Sequence, residues 1–177
     1  ELAGKTMGIV CMGSIGQAVC RIARAFGMPV VFENLSAKPQ LESDGVRQVS
    51  LDELLAVSDV VTLHAPATPE TDRMMNAQTI GRMKDGAYLL NTARGTLVDE
   101  QAVVDALRSG KLAGFAADVV SVEPMQPDNP LLQAKGQNII VTPHIAWATH
   151  EARERLLATV TANVGAFVEG APQNVVN

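Results

Sequence analysis

The sequence is short of aromatic residues, of cysteines and of positive charge, and each shortage excludes a class of function. Phe, Trp and Tyr make up 3% of the 177 residues, too few for a platform on which nucleic-acid bases would stack. Lys and Arg number 14 against 19 Asp and Glu, a formal net charge of −5. That balance argues against binding of nucleic acid, which draws its affinity from neutralised phosphates. Cys11 and Cys20 make no disulfide framework, so a reducing, cytoplasmic setting is the expectation. Charges interrupt every apolar run short of the ~18 residues of a membrane helix, and neither a membrane span nor a signal peptide is expected. The three histidines and two cysteines lack metal-ligand spacing, so no metal site is expected.

What is present is 47% hydrophobic residues, enough for a substantial core in one domain. They fall into short apolar runs alternating with helical patterns. Thr6–Val10, Val30–Phe32, Val46–Val49, Val60–Leu63, Ala87–Leu90, Gly114–Val119 and Ile139–Val141 read as strands. Between the first two, Ile15, Val19, Ile22 and Phe26 recur at helical spacing as one apolar stripe, closed by Gly27. Ser50-Leu51-Asp52-Glu53 reads as a capping box opening a helix. Asp99 caps another that runs through Val103 and Leu107 to Gly110. A last helix begins near Thr149, with Leu156, Val160, Val164 and Phe167 on one side. Continuously apolar strands alternating with helices predict an α/β fold, a doubly wound parallel sheet covered on both faces.

In such a sheet, ligands bind beyond the carboxyl ends of the strands. Polar and glycine residues collect at six of those ends. Cys11-Met12-Gly13-Ser14-Ile15-Gly16 follows the first strand and matches a dinucleotide fingerprint whose first glycine is replaced. Gly13 would let the backbone approach a pyrophosphate, Gly16 would let the helix pack closely, and the amides around Ser14 and Ile15 would face the phosphates. This is the signature of a Rossmann-type dinucleotide-binding domain. Its plainer reading is an ordinary strand-to-helix turn. Cys11 is either a small residue tolerated in that turn or a thiol activated at a helix N-terminus.

The residue ending the second strand usually selects the cofactor, because a carboxylate there bonds the ribose and repels a 2′-phosphate. By spacing that residue is Asn34, with Glu33 pointing to the opposite face. Asn34 repels no phosphate, and Ser36 and Lys38 lie close by in sequence. NAD is the first expectation and NADP the second, with Lys38 as a plain solvated charge the alternative to a phosphate contact. Later strand ends carry His64-Ala65-Pro66, Asn91-Thr92-Ala93-Arg94-Gly95, Asp118 with Glu123-Pro124, and Pro143-His144.

The segments Thr142–Thr149, Asn91–Gly95 and Asp118-Val119 with Glu123-Pro124 resemble the D-specific 2-hydroxyacid dehydrogenases. Trp147 followed by Glu151-Ala152-Arg153 is most similar to the glycerate dehydrogenase, or hydroxypyruvate reductase, branch. Arg94 and Glu123 lie 29 residues apart and Glu123 and His144 lie 21 apart, as suits that family. The resemblance runs from Gly4 to the end but corresponds to the coenzyme domain alone. Residues 1–177 are therefore expected to be a dinucleotide-binding domain without its substrate domain. Departures are Cys11 for a glycine, Asn34 for an acid and Ala65 where cysteine is common.

The resemblance implies an NAD(P)-dependent oxidoreductase acting on a small D-2-hydroxy or 2-keto acid, such as glycerate and hydroxypyruvate or glycolate and glyoxylate. It implies His144 as general acid and base, a task suited to imidazole, with Glu123 orienting it and favouring its protonated form. Arg94 would bind the substrate carboxylate and polarise the carbonyl. Asp118 would hold the nicotinamide end and Pro66 would line the adenine side. His64, Ala65, Thr92, Ala93, Arg94 and His144 complete the cofactor set. A homodimer with an exposed apolar patch is implied for the full-length enzyme. Each residue also has a plainer reading, as a surface charge, a loop corner or a satisfied loop histidine. The competing functions are a binding module without turnover and a cofactor-sensing corepressor.

Overall fold

Strands apolar on both faces call for burial on both faces, and the computed structural model, which describes residues 1–134 and 136–176, largely buries β1 (Met7–Val10), β2 (Val30–Glu33) and β4 (Val60–Leu63) in this way, whereas Tyr88, Ile140 and Val141 of the later strands stay 43%, 62% and 36% exposed. Seven strands form one sheet: β1 (Met7–Val10), β2 (Val30–Glu33), β3 (Val46–Gln48), β4 (Val60–Leu63), β5 (Ala87–Asn91), β6 (Leu112–Ala117) and β7 (Ile139–Val141). Every neighbouring pair is parallel, in the order β3-β2-β1-β4-β5-β6-β7. The order reverses between β1 and β4, which opens a crevice at the carboxyl ends of those two strands.

Side chains alternate across the sheet and build two separate cores. Ile9, Val30 and Phe32 pack on one face with Ala23 and Met28. Val10, Val31, Val61, Leu63 and Leu89 pack on the other with Leu54, Leu55, Ile80, Val103 and Leu107. The helices are α1 (Ser14–Ala25), α2 (Leu51–Val57), α3 (Ala77–Arg82), α4 (Glu100–Ser109) and α5 (His150–Val168). The Asp99 side chain caps α4 by accepting from the Gln101 and Ala102 amides, and Gly110 ends it in the left-handed conformation.

The chain divides into two compact units, Glu1–Pro143 and His144–Asn177. The first holds the sheet and α1 to α4. The second holds α5, whose Thr149 cap accepts from the Ala152 amide. No residue of α5 is buried, so the apolar side of Leu156, Val160, Val164 and Phe167 is exposed. Among the described residues, no helix is long and apolar enough to cross a membrane.

Three details differ from expectation. The α1 stripe faces the core only in part: Val19 packs against it, but Ile15, Ile22 and Phe26 are 66%, 58% and 58% exposed, while Gly16 and Ala23 are the buried residues of the helix. Small residues win that face because they let α1 approach the sheet; a Cβ on Gly16 would stand 2.6 Å from the Cys11 carbonyl oxygen. The Ser50 hydroxyl does cap α2 through the Glu53 amide, but the Glu53 carboxylate turns away to Arg47, 2.7 Å distant, so only half the box forms. Helix α3 escaped the periodicity because six residues hold too few apolar positions. Its signal was the cap, where Asn76 and Thr79 bond each other's amides.

Candidate dinucleotide site

The turn after β1 is built to leave amides free. Gly13 is the N-cap of α1 and has no side chain to cap it, and the first turn carries no acidic residue. Its amides and dipole are therefore available to an anion. Nothing stands within 4 Å of where a Cβ of Gly13 would lie, so the approach is open. Cys11 occupies the left-handed region at φ 73°, where a glycine is the usual occupant. The Asn34 carboxamide oxygen accepts the Met12 N–H at 3.2 Å, tying the end of β2 to this turn.

Beside the start of α1 lies a cavity of about 460 Å³. Ile15 lines it from α1, His64, Ala65, Pro66 and Ala67 from the loop after β4, and Thr92, Ala93 and Arg94 from the loop after β5. Seven of these eight were expected at a cofactor site from the sequence, and their convergence follows from three adjacent parallel strands ending at one edge. The exposed Arg94 side chain is steadied by donating to the Ala93 carbonyl. Below it, the buried Asn91 accepts from the Ala93 N–H at 3.1 Å and donates to the Arg94 carbonyl at 2.9 Å. In the sequence Asn91 is only the first residue of a motif; in the fold it shapes the loop that presents Arg94.

Asp118 is buried just past the end of β6. Its N–H donates to the Asn91 carbonyl and its carboxylate accepts from the Thr142 hydroxyl. The Glu123 carboxylate accepts the Val120 N–H at 3.3 Å. Glu100, which sequence reasoning passed over as part of a helix start, is the anchor of that loop. Only 8% exposed, it accepts from the Ser121 N–H and hydroxyl, both at 2.8 Å, and from the Asn129 amide at 2.9 Å. The sign that could have revealed it is a second acid directly after a capping aspartate. His144 opens the second unit with φ 55°, and its carbonyl accepts from the Trp147 indole N–H at 2.8 Å.

Two titrations follow from burial. The Cys11 thiol is pushed above the usual thiol range by burial and next by the Glu33 carboxylate, against smaller opposing pulls from the Gly13 amide and Lys38. It is therefore the plain turn residue and not an activated nucleophile. Iodoacetamide should modify Cys11 more slowly at neutral pH than it modifies an unstructured cysteine peptide. The rate should keep rising at pH values where the peptide has levelled off, read site by site by mass spectrometry.

The His64 ring, partly buried with Nε2 3.1 Å from the Thr62 hydroxyl, has its pKa lowered by burial. The unfolded chain binds a proton that the folded chain refuses between the lowered value and the ordinary one. This contribution to stability is complete above the ordinary histidine pKa and is lost as pH falls through that window. Unfolding in urea at about pH 7.5 and about pH 5.5 should show a smaller loss on acidification for His64→Gln than for the parent. Glu33, raised by burial, acts with the opposite sign, so the difference between the two proteins is the informative quantity.

Residues 1–146 match the family described as D-isomer specific 2-hydroxyacid dehydrogenase, NAD binding domain. A hydroxypyruvate reductase of Blautia hydrogenotrophica is 51% identical over all of this chain and 54% of its own length. A glycerate dehydrogenase of Methylorubrum extorquens is 45% identical over 99% of this chain and 54% of its own. The crystal structure of D-lactate dehydrogenase from Aquifex aeolicus, complexed with NAD and lactic acid, aligns with a TM-score of 0.89 at 38% identity. That alignment covers 97% of this chain and 55% of the other. The chain thus spans about half the length of the curated relatives it matches.

Proposed function

Because this chain belongs to the D-isomer specific 2-hydroxyacid dehydrogenases, as their NAD-binding domain, we propose that it serves reversible hydride transfer between a nicotinamide dinucleotide and a small D-2-hydroxy acid. The observation that carries this reading is the cavity in which Ile15, His64 to Ala67 and Thr92 to Arg94 meet beside the uncapped start of α1. It offers an anion site at one end and a cation at the other, the two charges that a pyrophosphate and a carboxylate substrate need. Hydroxypyruvate and glyoxylate are the substrates proposed, on the strength of the reductase and dehydrogenase relatives.

When bound, a nicotinamide dinucleotide would supply the hydride. The residues of the chain do the rest. Gly13, Ser14 and Ile15 hold the pyrophosphate by their amides, with Gly16 allowing the helix to lie close. Pro66 would line the adenine side and Asp118 would hold the nicotinamide end, with Ala65, Thr92 and Ala93 completing the wall of the cavity. Arg94 grips the substrate carboxylate with two donors of its planar fork and polarises the adjacent carbonyl. The family resemblance gives His144 the proton that goes to the carbonyl oxygen in reduction and returns in oxidation, and gives Glu123 the orienting of that imidazole. Supporting this assignment are the family resemblance and the spacing of the three residues in the chain.

Residues 1–177 act as the coenzyme half, a reading supported by the match to an NAD-binding domain and by the 54% of the Blautia relative's length that the chain spans. A cytoplasmic homodimer fits the paucity of cysteine and the exposed apolar residues Ile22, Phe26 and Leu156. The test is calorimetric titration with NADH, followed by assay with hydroxypyruvate and glyoxylate. Micromolar binding, about −8 kcal/mol, with little turnover by this chain alone, is the expected result. Failure to bind the dinucleotide overturns the reading. The half-length match favours, as a second reading, a binding module without turnover, and rapid reduction of either keto acid by this chain would exclude it.

A further inference from the structure

His64 lines the same cavity as Arg94 and as Ile15, the second residue of α1, and the two nitrogens of its ring are placed differently. Nε2 lies 3.1 Å from the hydroxyl of Thr62, a buried residue two positions back on β4. The His64 backbone N–H donates to the Val10 carbonyl at 2.9 Å, so backbone and ring are both anchored at the crevice between β1 and β4. A hydroxyl donates to a neutral imidazole and accepts from a charged one, so Thr62 satisfies Nε2 in either protonation state. Nδ1 has no hydrogen-bond partner among the described residues, and none of their buried side-chain nitrogens or oxygens goes unpaired. Nδ1 is therefore accessible, the uncommitted end of a ring in the cavity wall.

The groups around the ring oppose a charge on it until an anion arrives. Helix α1 presents Ile15 to the cavity and carries no acid in its first turn. The loop after β5 presents Arg94, a like charge, and Ala65 to Ala67 bring none. Glu33 ends β2, on the far side of β1, and burial pushes the Cys11 thiol up, which leaves it uncharged. Burial also lowers the pKa of the His64 ring itself. A pyrophosphate resting on the α1 amides would bring two negative charges into this cavity, enough to offset Arg94 and favour a second cation.

We propose that His64 is a proton-linked phosphate ligand of the dinucleotide site. As the dinucleotide enters, the ring takes a proton from solvent, donates from Nδ1 to a phosphate oxygen and rests Nε2–H on the Thr62 hydroxyl. By linkage, the proton raises the affinity for dinucleotide by the factor by which dinucleotide raises the affinity for the proton. This role rests on the dinucleotide reading proposed above and deepens it.

The test follows the His64 ring by NMR, assigned through its own backbone, in a pH titration of the parent chain with and without saturating NADH. The His64 midpoint should move to higher pH when NADH is bound. Calorimetry of NADH binding at about pH 6, in two buffers of unlike ionisation heat, should show uptake of about half a proton per chain. His64→Gln should abolish that uptake. NADH should bind the parent about threefold more tightly at about pH 6 than at about pH 8. Uptake that persists in His64→Gln places the proton on another group, such as Glu33, and overturns the proposal. A His64 midpoint that NADH leaves in place or lowers overturns it on the parent alone, whatever the fate of the variant. Absence of NADH binding defeats the dinucleotide reading itself, whereas binding that leaves the His64 signal unmoved defeats only the proton link.

Discussion

Gly95→Ala is expected to lower the unfolding free energy by about 3 kcal/mol, the upper part of the range for overpacking a tight interior. A Cβ on this buried glycine would lie 2.0 Å from both the carbonyl carbon and oxygen of Val120 and 2.5 Å from the Ser121 nitrogen. All three are backbone atoms, so no rotamer change relieves the clash and one of the two loops must move. The loops in question are the one that presents Arg94 and the one that carries Glu123. The same substitution should therefore weaken dinucleotide binding as well as stability. Urea unfolding and an NADH titration on one preparation check both. A loss under about 1 kcal/mol would show that the loops yield easily and are not locked against each other.

Glu100→Ala should cost a comparable amount, about 3 kcal/mol. The carboxylate is the acceptor for three donors, the Ser121 amide and hydroxyl and the Asn129 side chain, and alanine replaces none of these bonds. Donors left without partners in a dry site cost more than the bonds themselves were worth. Glu100→Gln should fall between the two proteins, since its oxygen can still accept from Ser121 while its amide nitrogen opposes that of Asn129. Equal midpoints in urea for the parent and Glu100→Ala would remove Glu100 as the anchor of the Val120–Glu123 loop.

The strands were legible because burial on both faces demands apolar runs, and Val30–Phe32 and Val60–Leu63 leave little else to read. The capped starts of α2, α4 and α5 were legible because Ser50, Asp99 and Thr149 act on amides two or three residues away. The direction of α1 was not. Ile15, Ile22 and Phe26 have helical spacing, yet Gly16 and Ala23 take the core, because close approach to the sheet outweighs the burial of larger side chains at that face. The strand read as Gly114–Val119 lies at Leu112–Ala117, a shift set by pairing with β5, which no local pattern reports.

At the site, residue types next to strand ends were readable from the chain alone, because a parallel sheet delivers every such end to one edge. That is why the chain alone places Gly13, His64, Thr92 and Arg94 beside strand ends of that edge. Composition and spacing by themselves determined a doubly wound sheet, a glycine turn between β1 and α1 and a cation after β5. Only the tertiary structure decided that Asn91 shapes the Arg94 loop, that Glu100 anchors the Glu123 loop, that Gln48 and Asn34 brace the loop after β2, and that the Cys11 thiol is subdued by its surroundings. These are contacts between residues up to 29 positions apart in sequence. Such contacts are made by packing and desolvation across elements, and no periodicity within a single element encodes them.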